Sequence, residues 1–551
     1  MTDEAPWPKA PREPGPWGGG PPVAPPGNTA LPPLPGPGGV SRTTAAATNP
    51  WTNAESIPAP RPSSVGPRGP FPGLDTASIP RIDRAPRWIL GLATVVVFAL
   101  AVGAGYVVLE GGRKYPSAWD SRVAPIAAFV AKSRSLSFDH PVEVRFLSEA
   151  EYRAASTGDD GGGDPAEEAA DSSEEDDSLA QLRALGLIEG KVDLGKAGDT
   201  LSDSGTLAFY SPDTKEVYVR GTEMTPGLRV TLAHELTHVL QDQHFDLGRI
   251  QDLPEDEAPV MRAIAEGDAG RIEQRYVDEV LTADERATYE KGYADEGKKA
   301  FETIDKEVPP VLTALFQAPY IFGPELVDYL EQKGGDKVID GAFEDVPNEE
   351  VLFNPLIYGT PAAKATPLSV DQPSGTEKID DGQFGPTAWY LLLASRMAPA
   401  AALKATDGLG GDGYVVYRQK GTVCVQVHAK GDTAADVTQL ADALKGWVGK
   451  SPAGTASVEV ADETVHFQSC DPGDAAKGAG SVSVDLLQVP ATRTQIYDQV
   501  MKGGGATSDQ AGCYANAIVG RFTLEQIGSA TYVQSDEGKA VLAELQQSCF
   551  R

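Results

Sequence analysis

Thr231-Leu-Ala-His234-Glu235-Leu-Thr-His238-Val-Leu-Gln-Asp242 is the stretch on which the fold turns. Residues four apart on a helix project from one face, so the imidazoles of His234 and His238 can grip a single metal ion. Glu235 stands one step round, placed to take a proton from a water on that ion's open side. The chain has only six His in 551 residues, so two at this spacing around a carboxylate carry weight. The flanks predict a helix. Thr225 is a suitable N-cap, Pro226 suits the first helical position, and Leu228, Leu232, Leu236 and Val239 recur as a buried stripe. Asp242, four residues beyond His238, is placed to accept a ring N–H from a ligand histidine; a solvated carboxylate near a helix end is the other reading.

Two histidines leave room for a third ligand. His244 follows His238 by six residues, but Gln241-Asp242-Gln243 offers no glycine to swing the chain out of the helix, and a continuing helix turns His244 away from the ligand face. Glu266 is the stronger candidate, in Val260-Met-Arg-Ala-Ile-Ala-Glu266-Gly267-Asp268-Ala269, a second helix with Val260, Ile264 and Ile272 as core positions. Asp268 and Glu273 are nearby alternatives. On these residues, His234-Glu235-Leu-Thr-His238 and then Ala263-x-x-Glu266-Gly267-Asp268-Ala269, the chain resembles the gluzincins, zinc peptidases whose third ligand is a Glu on a later helix. The gap of 28 residues from His238 to Glu266 is longer than in thermolysin-type members. The stretch from about 120 to 470 resembles uncharacterised bacterial membrane-anchored members, with Gln317–Tyr320 and Gly408–Asp412 as minor points.

The resemblance implies an α+β, zincin-like domain: a small mixed sheet with an edge strand beside the active-site helices. It implies Zn2+ as cofactor, His234, His238 and Glu266 as its ligands, Glu235 as general base and a peptide or protein as substrate. Leu207–Arg220 reads as two strands joined by a Ser-Pro-Asp turn, and the segment around Glu216–Arg220 is expected to be the edge along which substrate lies. Tyr320 and Tyr358 are candidates for steadying the oxyanion, with Tyr320 preferred as a catalytic residue; His428 and His466 fall in apparent strands. A zinc-binding adhesion or scaffold module without hydrolytic activity is the alternative function.

The rest of the chain sets the context. Residues 1–80 contain 21 prolines among Gly, Ala and Ser, too little apolar surface to offset ordering, so 1–87 reads as a disordered Pro-rich cytoplasmic segment. Trp88–Leu109 is 22 residues without a charge, long enough for one transmembrane helix. Arg81, Arg84 and Arg87 before it favour a single-pass protein in the cell membrane, N-terminus cytoplasmic and the rest outside. The polar neighbours of the motif, Glu223, Arg229 and Gln241–Gln243, exclude an intramembrane site.

Four cysteines, all late in the chain, suit disulfides, and Cys424–Cys470 with Cys513–Cys549 close the shortest loops. The formal net charge of −32 argues against nucleic acid as a partner. Asp159–Asp177 holds ten acids and no base, and 158–178 is expected to be a disordered insert. The peptidase domain is expected over 115–405. A C-terminal α+β region over 406–551 has strands around 414–417, 423–427, 457–460 and 464–467 and a helix over Ala434–Val448.

Overall fold

The computed structural model describes residues 115–157, 165–203, 207–364 and 366–550. It is α+β with two sheets. The small sheet is mixed: β1 (Glu143–Leu147) runs parallel to β3 (Glu216–Arg220), and β2 (Ala208–Ser211) pairs antiparallel on β3's other side. Glu216–Arg220 is therefore the centre of the sheet, and β2 is the edge strand beside the HExxH helix. The expectation that Glu216–Arg220 forms the edge is corrected: a third strand, from upstream in the chain, covers it. Elsewhere the expected architecture is also corrected. No helix among the described residues is long and apolar enough to cross a membrane. The 88–109 segment, and the Pro-rich segment before it, lie outside the described residues.

Ahead of β1 comes α1 (Ala124–Arg134); between β1 and β2 lie α2 (Glu149–Thr157), α3 (Pro165–Ala184) and α4 (Leu194–Asp203). The acidic tract is thus not loop throughout, since α3 takes in its second half. The helical part ends by burying Leu179, Leu182 and Leu185 in the core, and Asp177 accepts from Arg418 of the large sheet. Apolar burial and ion pairing on the far side of the tract provide the order that its composition lacks.

The HExxH motif lies on α5 (Pro226–Phe245), starting as the sequence predicts: Thr225 Oγ1 accepts from Leu228 N at 3.1 Å, and Pro226 follows the cap. Leu228, Leu232, Leu236 and Val239 are buried against Val144, Ala208, Val217 and Val219 of the small sheet, one apolar cluster. Next come α6 (Ala258–Glu279), α7 (Ala283–Glu307) and α8 (Pro310–Gly334), followed by α9 (Asp336–Glu344) and the short α10 (Glu350–Phe353). Helices α6 and α8 cross at Gly267 and Gly323, where a Cβ on either residue would run into the other helix's backbone. Glu266 stands beside that crossing.

The second sheet is fully antiparallel, in the order β4 (Glu377–Gly382), β5 (Leu409–Gln419), β6 (Thr422–Gly431), β8 (Thr464–Cys470), β7 (Ala456–Ala461). The expected helix Ala434–Val448 packs on it, and further helices follow from Gln488. Cys424 and Cys470 face each other across β6 and β8 and are bonded, as are Cys513 and Cys549: the expected pairs. One apolar cluster runs from Leu179 to Cys549, so no break in the core falls at 405.

Just before α10, Glu349 accepts from Thr387 Oγ1, on the helix Gly385–Ala394, at 2.5 Å, and its other oxygen is buried without a partner among the described residues. Burial pushes the Glu349 carboxyl up to about 7, the Thr387 hydrogen bonds opposing. A carboxyl raised by folding lends stability that is complete below its ordinary range and fades as pH climbs through the folded value.

Two predictions follow from this packing. Gly267→Ala should lower the thermal midpoint by the equivalent of about 1–3 kcal/mol or more, whereas Gly270→Ala on the same helix, with nothing near its Cβ, should raise it by up to about 1 kcal/mol. Glu349→Gln should stabilise the protein by about 1–3 kcal/mol at pH 8 and by little at pH 5, as read from denaturant midpoints at the two pH values.

Candidate metal centre

His234 and His238 turn to the same side of α5, their ring centroids 4.7 Å apart. Glu266 reaches them from α6. Its Oε2 lies 3.3 Å from His234 Nε2 and 3.6 Å from His238 Nε2. One ligand atom from each residue lies within 4.8 Å of the others, and all three side chains are buried. Burial pushes the Glu266 carboxyl up, but the two imidazoles overcome it and hold it at about 2.

The outer nitrogens fix which ring atoms carry protons. Gln241 Nε2 donates to Ala265 O at 3.1 Å and Asp268 Oδ2 at 2.9 Å, so Gln241 Oε1 is an acceptor, 2.9 Å from His238 Nδ1. His234 Nδ1 likewise faces a carboxylate, Glu273 Oε2, at 3.1 Å. Both imidazoles therefore carry hydrogen on Nδ1, which leaves Nε2 of each as the nitrogen that can give a lone pair on the Glu266 side. With those nitrogens unprotonated, three electron-pair donors converge, an arrangement that a cation stabilises. His238 Nε2 is buried with no hydrogen-bond partner, which fits that reading.

Glu235 is fully buried. Its Oε2 accepts from Tyr210 N, on β2, at 2.7 Å, while its Oε1 has no partner. Burial raises the Glu235 carboxyl, the two imidazoles opposing. That oxygen, unpartnered among the described residues, faces no competing donor and is free to accept from a water.

Compared with known protein families, characterised proteins and solved structures, the chain matches none. The chemistry of the site therefore rests on its own geometry.

That geometry brings together four of the expected residues: His234, His238, Glu266 and Glu235. Asp242 is not among them. Its Oδ2 accepts from Tyr210 Oη at 2.5 Å and Lys215 Nζ at 2.7 Å, and its Oδ1 accepts from Leu247 N at 3.0 Å. Asp242 clamps the helix to the β2–β3 hairpin, and the histidine-orienting role falls to Gln241 and Glu273. Their signal was spacing: Gln241 is three residues past His238, and Glu273 is two helical turns past Glu266. Asp268 and Glu273, the alternative ligands, stand behind the ligands instead.

His244 Nε2 meets Ser137 O at 2.8 Å, away from the cluster. Tyr358 sits over Lys333, and His428 stacks on His466 in the large sheet at 3.8 Å. Tyr320, on α8, acts electrostatically on Arg262, one turn before Glu266.

Behind Gln241 the support continues. Asp268 is fully buried and accepts from Arg134 Nε at 2.7 Å and Arg271 at 2.8 Å as well as from Gln241. Burial works against its charge, and these donors overcome it, holding the carboxyl below its usual range. Arg134 also reaches Asp340 at 2.6 Å. Arg134→Met leaves Asp268 short of its closest cation and should cost about 3–5 kcal/mol in urea denaturation; Arg134→Lys should lie between that variant and the wild type.

Proposed function

We propose that the chain is a zinc-dependent peptidase. The single observation that carries this reading is the unpartnered, buried Glu235 Oε1 beside two imidazole lone pairs and the Glu266 carboxylate. His234, His238 and Glu266 would hold the metal, and two nitrogens with one carboxylate suit Zn2+ with a position left for water. The metal, when bound, would polarise the scissile carbonyl and lower the pKa of water. Glu235 takes the proton from that water through Oε1 and passes it to the departing amine, while Tyr210 N holds its other oxygen still. Glu273 and Gln241 keep both rings in the metal-binding tautomer. The substrate is an extended peptide beside β2, the edge strand next to α5; since Tyr210 N donates to Glu235, backbone pairing falls to the strand's other outward groups. The two disulfides favour an oxidising compartment as the place of action.

The alternative, a zinc-binding adhesion or scaffold module that cleaves nothing, draws on one observation: His234, Glu235, His238 and Glu266 are each 5% exposed or less. A hydroxamate probe separates the two, because its capture needs an accessible position on the metal.

Metal analysis should find about one zinc per chain, lost in His234→Ala. Glu235→Gln should keep the zinc and lower peptide hydrolysis by about 10²- to 10⁴-fold; full activity in that variant rules the mechanism out.

A further inference from the structure

Among the described residues of this strongly acidic chain, Arg262 is a cation with no carboxylate bonded to it. Its neighbours show how unusual that is. Arg134, Arg271 and Arg275 are each tied to one or more carboxylates. Arg262 makes no hydrogen bond and no ion pair among the described residues. It is not simply out in water either. Only partly exposed, it sits on α6 one turn before Glu266, so the two side chains share a face. The Glu266 carboxylate is near enough to act on its charge, and the Tyr320 side chain, from α8, lies close as well. The crossing at Gly267 and Gly323 brings α8 to this place. A guanidinium stripped of part of its water, with Glu266 near but not bonded to it, gains from an anion that it can grip directly. Its planar fork matches a carboxylate bidentately.

We propose that Arg262, with Tyr320 beside it, receives a carboxylate of the peptide substrate within one or two residues of the scissile bond. The inference rests on the peptidase reading above and adds a substrate class to it. Four residues of helix rise about 6 Å, and an extended peptide advances about 3.3 Å per residue. A group bound at Arg262 is therefore on a residue next to, or one removed from, the one at the metal. The carboxylate has two possible sources: the free C-terminus of the peptide or an Asp or Glu side chain. Arg262 is a specificity residue in either case, since it binds a part of the substrate that does not react.

The test uses the full chain with zinc and fluorescence-quenched hexapeptides in four sets: free or amidated C-terminus, each with or without Asp and Glu. The wild type should prefer the carboxylate-bearing sets through KM. Preference for the free C-terminus marks an exopeptidase, and preference for Asp and Glu marks an acidic-residue endopeptidase. Arg262→Met should cut the preference by about 10- to 100-fold, and Arg262→Lys should restore part of it, with zinc content equal in all three proteins. A loss of kcat that is the same for every set, amidated neutral peptides included, overturns the proposal and assigns Arg262 to the oxyanion. So does a preference that Arg262→Met leaves intact.

Binding of the same peptides to Glu235→Gln, followed by fluorescence anisotropy, keeps the two readings apart. If the wild type cleaves nothing yet carboxylate peptides bind and Arg262→Met releases them, the peptidase reading fails and the carboxylate site stands. If neither protein binds them, the carboxylate site falls.

Discussion

A buried carboxylate that must stay ionised is the constraint on which this structure hangs. Asp268 accepts only from donors, two of them guanidinium groups and one an amide, and it has no access to water. Each donor belongs to a different part of the chain: Arg134 to α1, Gln241 to α5 and Arg271 to α6 itself. Arg271 also reaches Glu331 on α8 and Asp336 on α9. Removing any one donor exposes a charge to a medium that cannot solvate it, so the elements are held in a common register by electrostatic necessity. The register matters because Gln241 passes it to His238.

Two further devices complete the positioning. Tyr210 engages α5 twice, through its backbone N–H to Glu235 and its hydroxyl to Asp242, so the edge strand and the helix cannot shift relative to each other without losing both. The close approach of Gly267 and Gly323 then fixes how α6 and α8 lie, which sets Glu266 toward the histidines and brings Tyr320 within electrostatic range of Arg262. His234, His238 and Glu266 are thus placed by packing and hydrogen bonds from at least five elements.

Much of the site was legible because it is local. The His234–His238 spacing, the Thr225 cap, the apolar stripe of α5 and the Glu266 helix all follow from periodicity within one element. The cysteine pairs followed from loop length. What escaped depends on pairings across the chain. The place of Glu216–Arg220 at the centre of the sheet is decided by β1, some seventy residues upstream. Asp242 and Gln241 are neighbours on one helix, and sequence alone does not say which faces the histidine and which the hairpin. The helix within the acidic tract was hidden by its composition, because the apolar residues that anchor it come only at its end. The raised carboxyl of Glu349 and the solitary Arg262 were invisible for a like reason: a charge reads the same whether or not a partner waits for it.

The reach of Arg134 has a consequence for biogenesis. Its partners Asp268 and Asp340 lie 134 and 206 residues further along the chain. At about 5–20 residues per second, a ribosome needs roughly 10–40 s to travel from Arg134 to Asp340. Contacts of such high sequence separation form late, after the local helices. Through that interval the histidine helix can exist, but its outer supports cannot. The nascent polypeptide therefore carries a half-built pocket, and the convergence of His234, His238 and Glu266 belongs to the finished protein.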